Sequence, residues 1–275
     1  MKRWRIVLAT VAGGALLAAL AGGLLLRGGW YDAGAIKQHY QLTYQLLELG
    51  LRYSVRHHAR EIHAPPLTDA MAQRGAQLYA RFCVQCHGAP GVAPEQAALA
   101  LQPQPGPLLH MARRWQPHEL YWLVANGIKM TGMPAWQYRL SEEELWSVVA
   151  FLQQLPRLSP AEGKALLAQA ARDDHPSPPP PLRPPDADRG RVALTQYACH
   201  SCHQIDGVAG PTVEVGPALP RGYAEQRYIA GYLPNSDDNL VRWIRHPDQV
   251  KPGTAMPELQ VSEQDARDMA RWLRR

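Results

Sequence analysis

Cysteine is scarce in this chain, and none is spare. The four thiols among 275 residues are Cys83, Cys86, Cys199 and Cys202. They fall into two C-x-x-C pairs, so a disulfide framework or a solitary redox thiol has nothing to be built from. Phenylalanine is scarcer still, at two residues, while glycine and proline number 22 and 25. That leaves a conventional core short of large apolar side chains, a shortage that a bulky apolar cofactor would make good. Acidic residues are missing from the first thirty positions, where Lys2, Arg3, Arg5 and Arg27 supply +4 of the formal net charge of +5. The rest of the chain is near neutral. A basic stripe that would track phosphates is therefore absent, and nucleic acid is excluded as a partner.

Each cysteine pair is followed at once by a histidine, in Cys83-Val84-Gln85-Cys86-His87 and in Cys199-His200-Ser201-Cys202-His203. C-x-x-C-H is the attachment site of a c-type haem. On one helical turn, positions i and i+3 share a face. Both sulfurs then reach one porphyrin edge and form thioethers to the vinyl groups, and the histidine ligates the iron. Two copies imply two covalently bound c-type haems, held by Cys83, Cys86, Cys199 and Cys202, with His87 and His203 as proximal iron ligands. Two other readings compete. A zinc site of this composition has its histidine farther along the chain, and a thioredoxin-like redox pair has no use for the histidine. The repetition favours haem.

From Ile6 to Leu26 run about twenty uncharged, mostly apolar residues, enough to cross a hydrocarbon layer of ~30 Å. Lys2, Arg3 and Arg5 hold the N-terminus in the cytoplasm by the positive-inside rule. A cleaved signal peptide ending at Ala19-Leu20-Ala21 is the competing reading. The apolar core exceeds the ~7–15 residues of such a peptide, which favours a retained, single-pass anchor. Either way the haem-bearing parts face the periplasm, where bacteria attach c-type haem.

Beyond Trp30-Tyr31, an aromatic pair suited to the membrane interface, Ile36, Tyr40, Tyr44, Leu47, Leu51 and Val55 recur at steps of three and four. They predict an amphipathic helix whose stripe packs on the first haem domain or lies along lipid. A docking surface for a membrane partner is the alternative. His57, His58 and His63 read as a solvated basic turn. Ala70 to Phe82 reads as the helix entering the first haem site, with Gly75 for close helix contact and Tyr79 and Phe82 at the haem edge. Arg189-Gly190 and Tyr197 repeat Arg74-Gly75 and its aromatics before the second motif, the mark of a repeated domain. Methionine is the usual sixth ligand of electron-carrying cytochromes. Met133, between Gly132 and Pro134, is expected at the first iron, with Met130 in reserve and Met111 as packing. Met256, followed by Pro257, is expected at the second iron, with Met269 in the core. The loop Val215–Leu219 is expected to offer a proline carbonyl to His203. Closing helices are predicted from Ser141 to Leu155, capped by Ser141 and Glu144, and from Ser262 to Leu273. Residues 176–185, Pro-Ser-Pro-Pro-Pro-Pro-Leu-Arg-Pro-Pro, read as a polyproline II spacer of ~3.1 Å per residue. Such a tether would let the second domain swing.

These residues carry a family resemblance. Both halves resemble class I cytochrome c domains, and together the matches cover most of residues 70–275. The second is similar to the cytochrome c domain fused to subunit two of caa-type haem–copper oxidases, through Gly231-Tyr232-Leu233-Pro234-Asn235, Trp243-Ile244-Arg245, and Lys251-Pro252-Gly253 through Met256-Pro257. The first resembles bacterial membrane-anchored cytochromes, through Gly127-Ile128-Lys129-Met130-Thr131-Gly132-Met133-Pro134-Ala135-Trp136. The resemblance implies an all-α fold, an N-terminal transmembrane helix followed by two class I haem domains. The expected division is an anchor over 1–30, an amphipathic helix and connector over 31–69, a first domain over 70–160, a Pro-rich linker over 161–185 and a second domain over 186–275. The implied function is single-electron transfer, with no catalytic residue, in a periplasmic respiratory chain at the bacterial inner membrane. The expected acceptor is a haem–copper terminal oxidase, and the donor a quinol-oxidising complex or a dehydrogenase. No copper-binding domain precedes the second haem, so the chain is not expected to be the oxidase's copper subunit. The alternatives are a cytochrome subunit of a periplasmic dehydrogenase, and a dihaem enzyme such as a peroxidase. The enzyme needs one iron open to substrate, against which two Met-Pro loops count.

Overall fold

A computed structural model describes residues 2–173, 178, 181–220 and 222–275. It divides into two compact units, 1–54 and 55–275. The first unit holds helix α1 (Lys2–Arg27) and most of α2 (Gln41–Ala59). Helix α1 has 26 residues, about 39 Å at 1.5 Å per residue. Among the described residues it is the one helix long and apolar enough to cross a membrane. Helix α2 starts at Gln41, so Ile36 and Tyr40 of the predicted stripe precede it. It also carries a second apolar stripe that the sequence reading overlooked. Leu42, Leu46, Leu49 and Tyr53 recur at helical spacing on the face opposite Tyr44, Leu47 and Leu51, and all four are exposed.

The second unit contains two helical assemblies of one plan. The first comprises α3 (Asp69–Phe82), α4 (Val84–His87), α5 (Gln96–Leu99), α6 (Met111–Arg114), α7 (Pro117–Asn126), α8 (Glu142–Gln154) and α9 (Pro160–Arg172). Thr68 starts α3 by accepting from the Met71 N–H at 3.2 Å, and Ser141 and Glu144 close a capping box at the start of α8. The core lies where α3 crosses α8. Leu78, Tyr79, Val148, Val149 and Phe151 are all buried there, each contributing about 1.5–3 kcal/mol. Gly75 makes the crossing possible, since a Cβ there would overlap the Ser147 carbonyl. Its neighbour Arg74 pairs with Glu144 at 2.9 Å. The last turn of α2 belongs to this assembly. Val55 and Ala59 are buried, Arg56 meets Glu119 at 3.5 Å, and His58 stacks on Trp122 at 5.6 Å. His57, His58 and His63 are exposed, as the predicted solvated turn requires.

Residues 160–172 correct the expected linker. Ser159 and Glu162 form a capping box, Pro160 occupies the first helical position, and α9 buries Gly163, Leu167 and Ala170. This helix packs on α3 because its small and apolar residues recur at helical spacing. Of the polyproline stretch 176–185, positions 176, 177, 179 and 180 lie outside the described residues. Its far end does not hang free: the Arg183 N–H donates to Gln264 at 2.6 Å, and the Pro184 carbonyl accepts from Arg189 at 3.0 Å.

The second assembly comprises α10 (Ala187–Gln196), a two-stranded hairpin of β1 (Tyr228–Ile229) and β2 (Leu233–Pro234), α11 (Asp237–Arg245), α12 (Pro247–Val250) and α13 (Glu263–Leu273). The plan of the first assembly returns in α10 crossing α13. A Cβ on Gly190 would overlap the Asp268 carbonyl, and Arg189 pairs with the buried Asp268 at 2.9 Å. Met269, as expected, is core at 0% exposure.

Candidate haem sites

At the first motif α3 runs out at Phe82 and one further turn, α4, follows. The Cys86 and His87 N–H groups donate to the Cys83 carbonyl at 3.1 and 3.0 Å, which brings both thiols and the imidazole onto a single turn. Gly88, at φ +59°, ends that turn, and its carbonyl accepts from the buried Tyr79 hydroxyl at 2.6 Å. The second motif is built differently. Ala198 takes a left-handed conformation and a short 3-10 turn, Cys199–Ser201, follows. Even so, Cys202 and His203 return to the Cys199 carbonyl at 3.2 and 3.0 Å. The spacing, rather than the helix type, is what the two motifs share.

Each motif histidine is held by a carbonyl. His203 Nδ1 lies 2.7 Å from the Pro217 oxygen, the contact expected from the Val215–Leu219 loop. His87 Nδ1 lies 2.9 Å from the Gly106 oxygen, a partner the sequence reading missed, although Gly106-Pro107 echoes Gly216-Pro217. A carbonyl can only accept, so Nδ1 carries the proton and Nε2 keeps a lone pair. Burial holds the His87 pKa below its ordinary value, which favours the neutral ring. Gly216 lies so close to the His203 ring that a Cβ would approach three ring atoms at 2.5–3.0 Å.

All four thiols are free and half-buried. Burial, reinforced by the adjacent Cys86, pushes the Cys83 thiol up to about 12. Burial pushes the Cys199 thiol up to about 11. Among the described residues, no three His, Cys, Asp or Glu side chains gather to hold a metal ion.

The methionines stand on separate loops with one design. The Met133 N–H donates to the Thr131 hydroxyl at 3.1 Å, and the Met256 N–H to the Thr254 hydroxyl at 3.3 Å. The signal was legible as Thr-x-Met-Pro in both copies, yet the threonines were overlooked. Gly127, at φ +66°, packs its backbone against Met133 and Pro134 where a Cβ would collide. Met133 and Met256 are half-buried, whereas Met130 is 93% exposed. The donor set therefore fits a covalently attached haem at each site: two thiols, an imidazole with Nε2 available, and a loop thioether.

Residues 70–152 match the family described as "Cytochrome C oxidase, cbb3-type, subunit III", and residues 187–275 match the family described as "Cytochrome c". The chain is a two-domain, dihaem cytochrome c. Its two c-type haems are covalently bound, and its domains are those of an electron carrier. It is similar to "Cytochrome c oxidase subunit 2" of Alkalihalophilus pseudofirmus, with 37% identity over 89 residues. That match covers 32% of this chain and 25% of the relative, so this cytochrome spans about a quarter of that protein's length.

Proposed function

We propose that this cytochrome is anchored in the bacterial inner membrane by α1, with both haem domains in the periplasm. It would carry single electrons from a quinol-oxidising complex or a dehydrogenase toward a haem–copper terminal oxidase. Cys83 and Cys86 attach one haem, with His87 and Met133 as iron ligands. Cys199 and Cys202 attach the other, with His203 and Met256 as ligands. The observation that carries this reading is the duplicated site: each motif imidazole is tied at Nδ1 to a carbonyl, and each Met-Pro loop is pinned by a threonine hydroxyl. The exposure of Met130 favours Met133 over its reserve. The likeness of about a third of this chain to part of an oxidase subunit supports the oxidase as acceptor, and Lys2, Arg3 and Arg5 support the orientation.

Bound haem supplies a one-electron couple at iron. The chain's residues keep that couple in its carrier form. The carbonyl partners fix ring orientation and raise imidazole basicity, and the Met133 and Met256 thioethers would hold the irons and raise their potential. The test is carbon monoxide binding to the fully reduced protein, with haem counted as pyridine haemochrome. Two haems and an unshifted spectrum are expected. A shift at one haem would reveal an open iron and replace the carrier with an enzyme.

A further inference from the structure

Among the described residues, the two haem domains touch where Tyr138 and Arg139 of the first meet Tyr197 of the second. Phe82, the residue before Cys83, packs against Trp136 with ring centroids 5.3 Å apart. Trp136 shares a short 3-10 turn with Tyr138, three residues beyond Met133. Tyr138 leaves its own domain and packs against the core of the second. There its carbonyl lies 3.3 Å from the Tyr197 hydroxyl. Tyr197 is 4% exposed, is anchored by donating to Asp265 at 2.8 Å, and stands two residues before Cys199. Arg139 covers the junction, its guanidinium 3.8 Å above the Tyr197 ring.

We propose that Phe82, Trp136, Tyr138 and Tyr197 form the path by which an electron passes between the two haem sites, with Arg139 as the positioning residue that keeps the domains docked. This rests on the dihaem carrier reading. Tunnelling weakens steeply across gaps and far less through bonded or closely packed atoms. From Cys83 to Cys199 this route has only two non-covalent steps, Phe82 to Trp136 and Tyr138 to Tyr197. One iron is oxidised as the other is reduced by the same electron. No bond forms or breaks, no proton moves, and the aromatic residues act as medium without being oxidised. The swinging tether expected from the proline run gives way to a docked pair. The cation over the aromatic face holds the domains by electrostatic attraction to the ring.

The experiment uses the full chain in detergent with both haems counted. Spin labels at Gln169→Cys and Arg271→Cys, both exposed, report docking by their distance distribution. Photoreduction by less than one electron per molecule, followed by freeze-quench paramagnetic resonance of the ferric irons, reports exchange. Unsubstituted protein should give one narrow distance. Arg139→Glu should broaden it and slow exchange at least tenfold, and Arg139→Lys should restore both. Trp136→Leu should leave the distance unchanged and still slow exchange. A broad distance in unsubstituted protein overturns the docking. Exchange within twofold of normal in Arg139→Glu despite broadening, or in Trp136→Leu, overturns the path. Fewer than two haems in unsubstituted protein would overturn the dihaem reading itself, and is recognised before any exchange is measured.

Discussion

The tightest packing in either domain is a helix crossing over glycine, and Gly190→Ala tests it. A Cβ at this position would overlap the Asp268 carbonyl and come within 2.8 Å of the Met269 nitrogen. Both are backbone atoms of α13, so no side chain can rotate out of the way and the helices must part. Overpacking of this kind costs about 1–3 kcal/mol. Parting also loosens Asp268, which is 1% exposed, from the Asp186 N–H at 2.7 Å and from Arg189 at 2.9 Å. A buried acceptor left unsatisfied costs a further ~1–3 kcal/mol. Against this, alanine in a helix gains about 1 kcal/mol over glycine. The net loss is about 3 kcal/mol, which for a domain of this size lowers the melting temperature by roughly 12–24 °C. Far-UV circular dichroism of the solubilised protein, with the Soret band followed in parallel, reads that change. Gly50→Ala is the control, because nothing lies within 4 Å of its Cβ and the helix gain of about 1 kcal/mol is unopposed. A fall of less than ~3 °C in Gly190→Ala would refute the close crossing.

The remaining predictions concern the ligands and the caps. Met133→Ala and Met256→Ala should each open one iron to carbon monoxide while Met130→Ala leaves the reduced spectrum unchanged; a shift on Met130→Ala would reverse the assignment. Gly216→Ala should turn the His203 ring off the Pro217 carbonyl, a loss of about 1 kcal/mol. It should shift the potential of one haem alone, and two unmoved potentials in a titration would refute the contact. The Arg189 N–H holds the Asp186 carboxyl below its ordinary value, and Ser159 does the same for Glu162. A depressed folded pKa stabilises above the unfolded value near pH 4 and stops doing so as pH falls through the folded value. Melting temperature should therefore drop on acidification below about pH 4, and Asp186→Asn, which keeps the cap without the charge, should flatten the second domain's drop.

The local features were legible because their physics is local. A C-x-x-C-H motif spans one turn, so its spacing already brings Cys83, Cys86 and His87 together, and the Ser141–Glu144 box is complete within four residues. Gly75 and Gly190 stood out because each precedes its motif after an arginine, although nothing in the sequence said which carbonyl each would touch. The misses are contacts between distant segments. Gly106 meets His87 across 19 residues. Helix α9 was hidden by proximity to the proline run, and α2 carries a second stripe that a single-stripe reading passed over.

The sequence by itself determined the cofactor and its number, and it marked out an N-terminal helix apolar enough to span a membrane, since each depends on residue type and short spacing alone. Only the tertiary structure decided which carbonyl holds the His87 imidazole and where α9 packs. It alone brought Tyr138 and Arg139 against Tyr197, because a contact between residues some sixty positions apart depends on how two finished domains dock, and no short pattern encodes that.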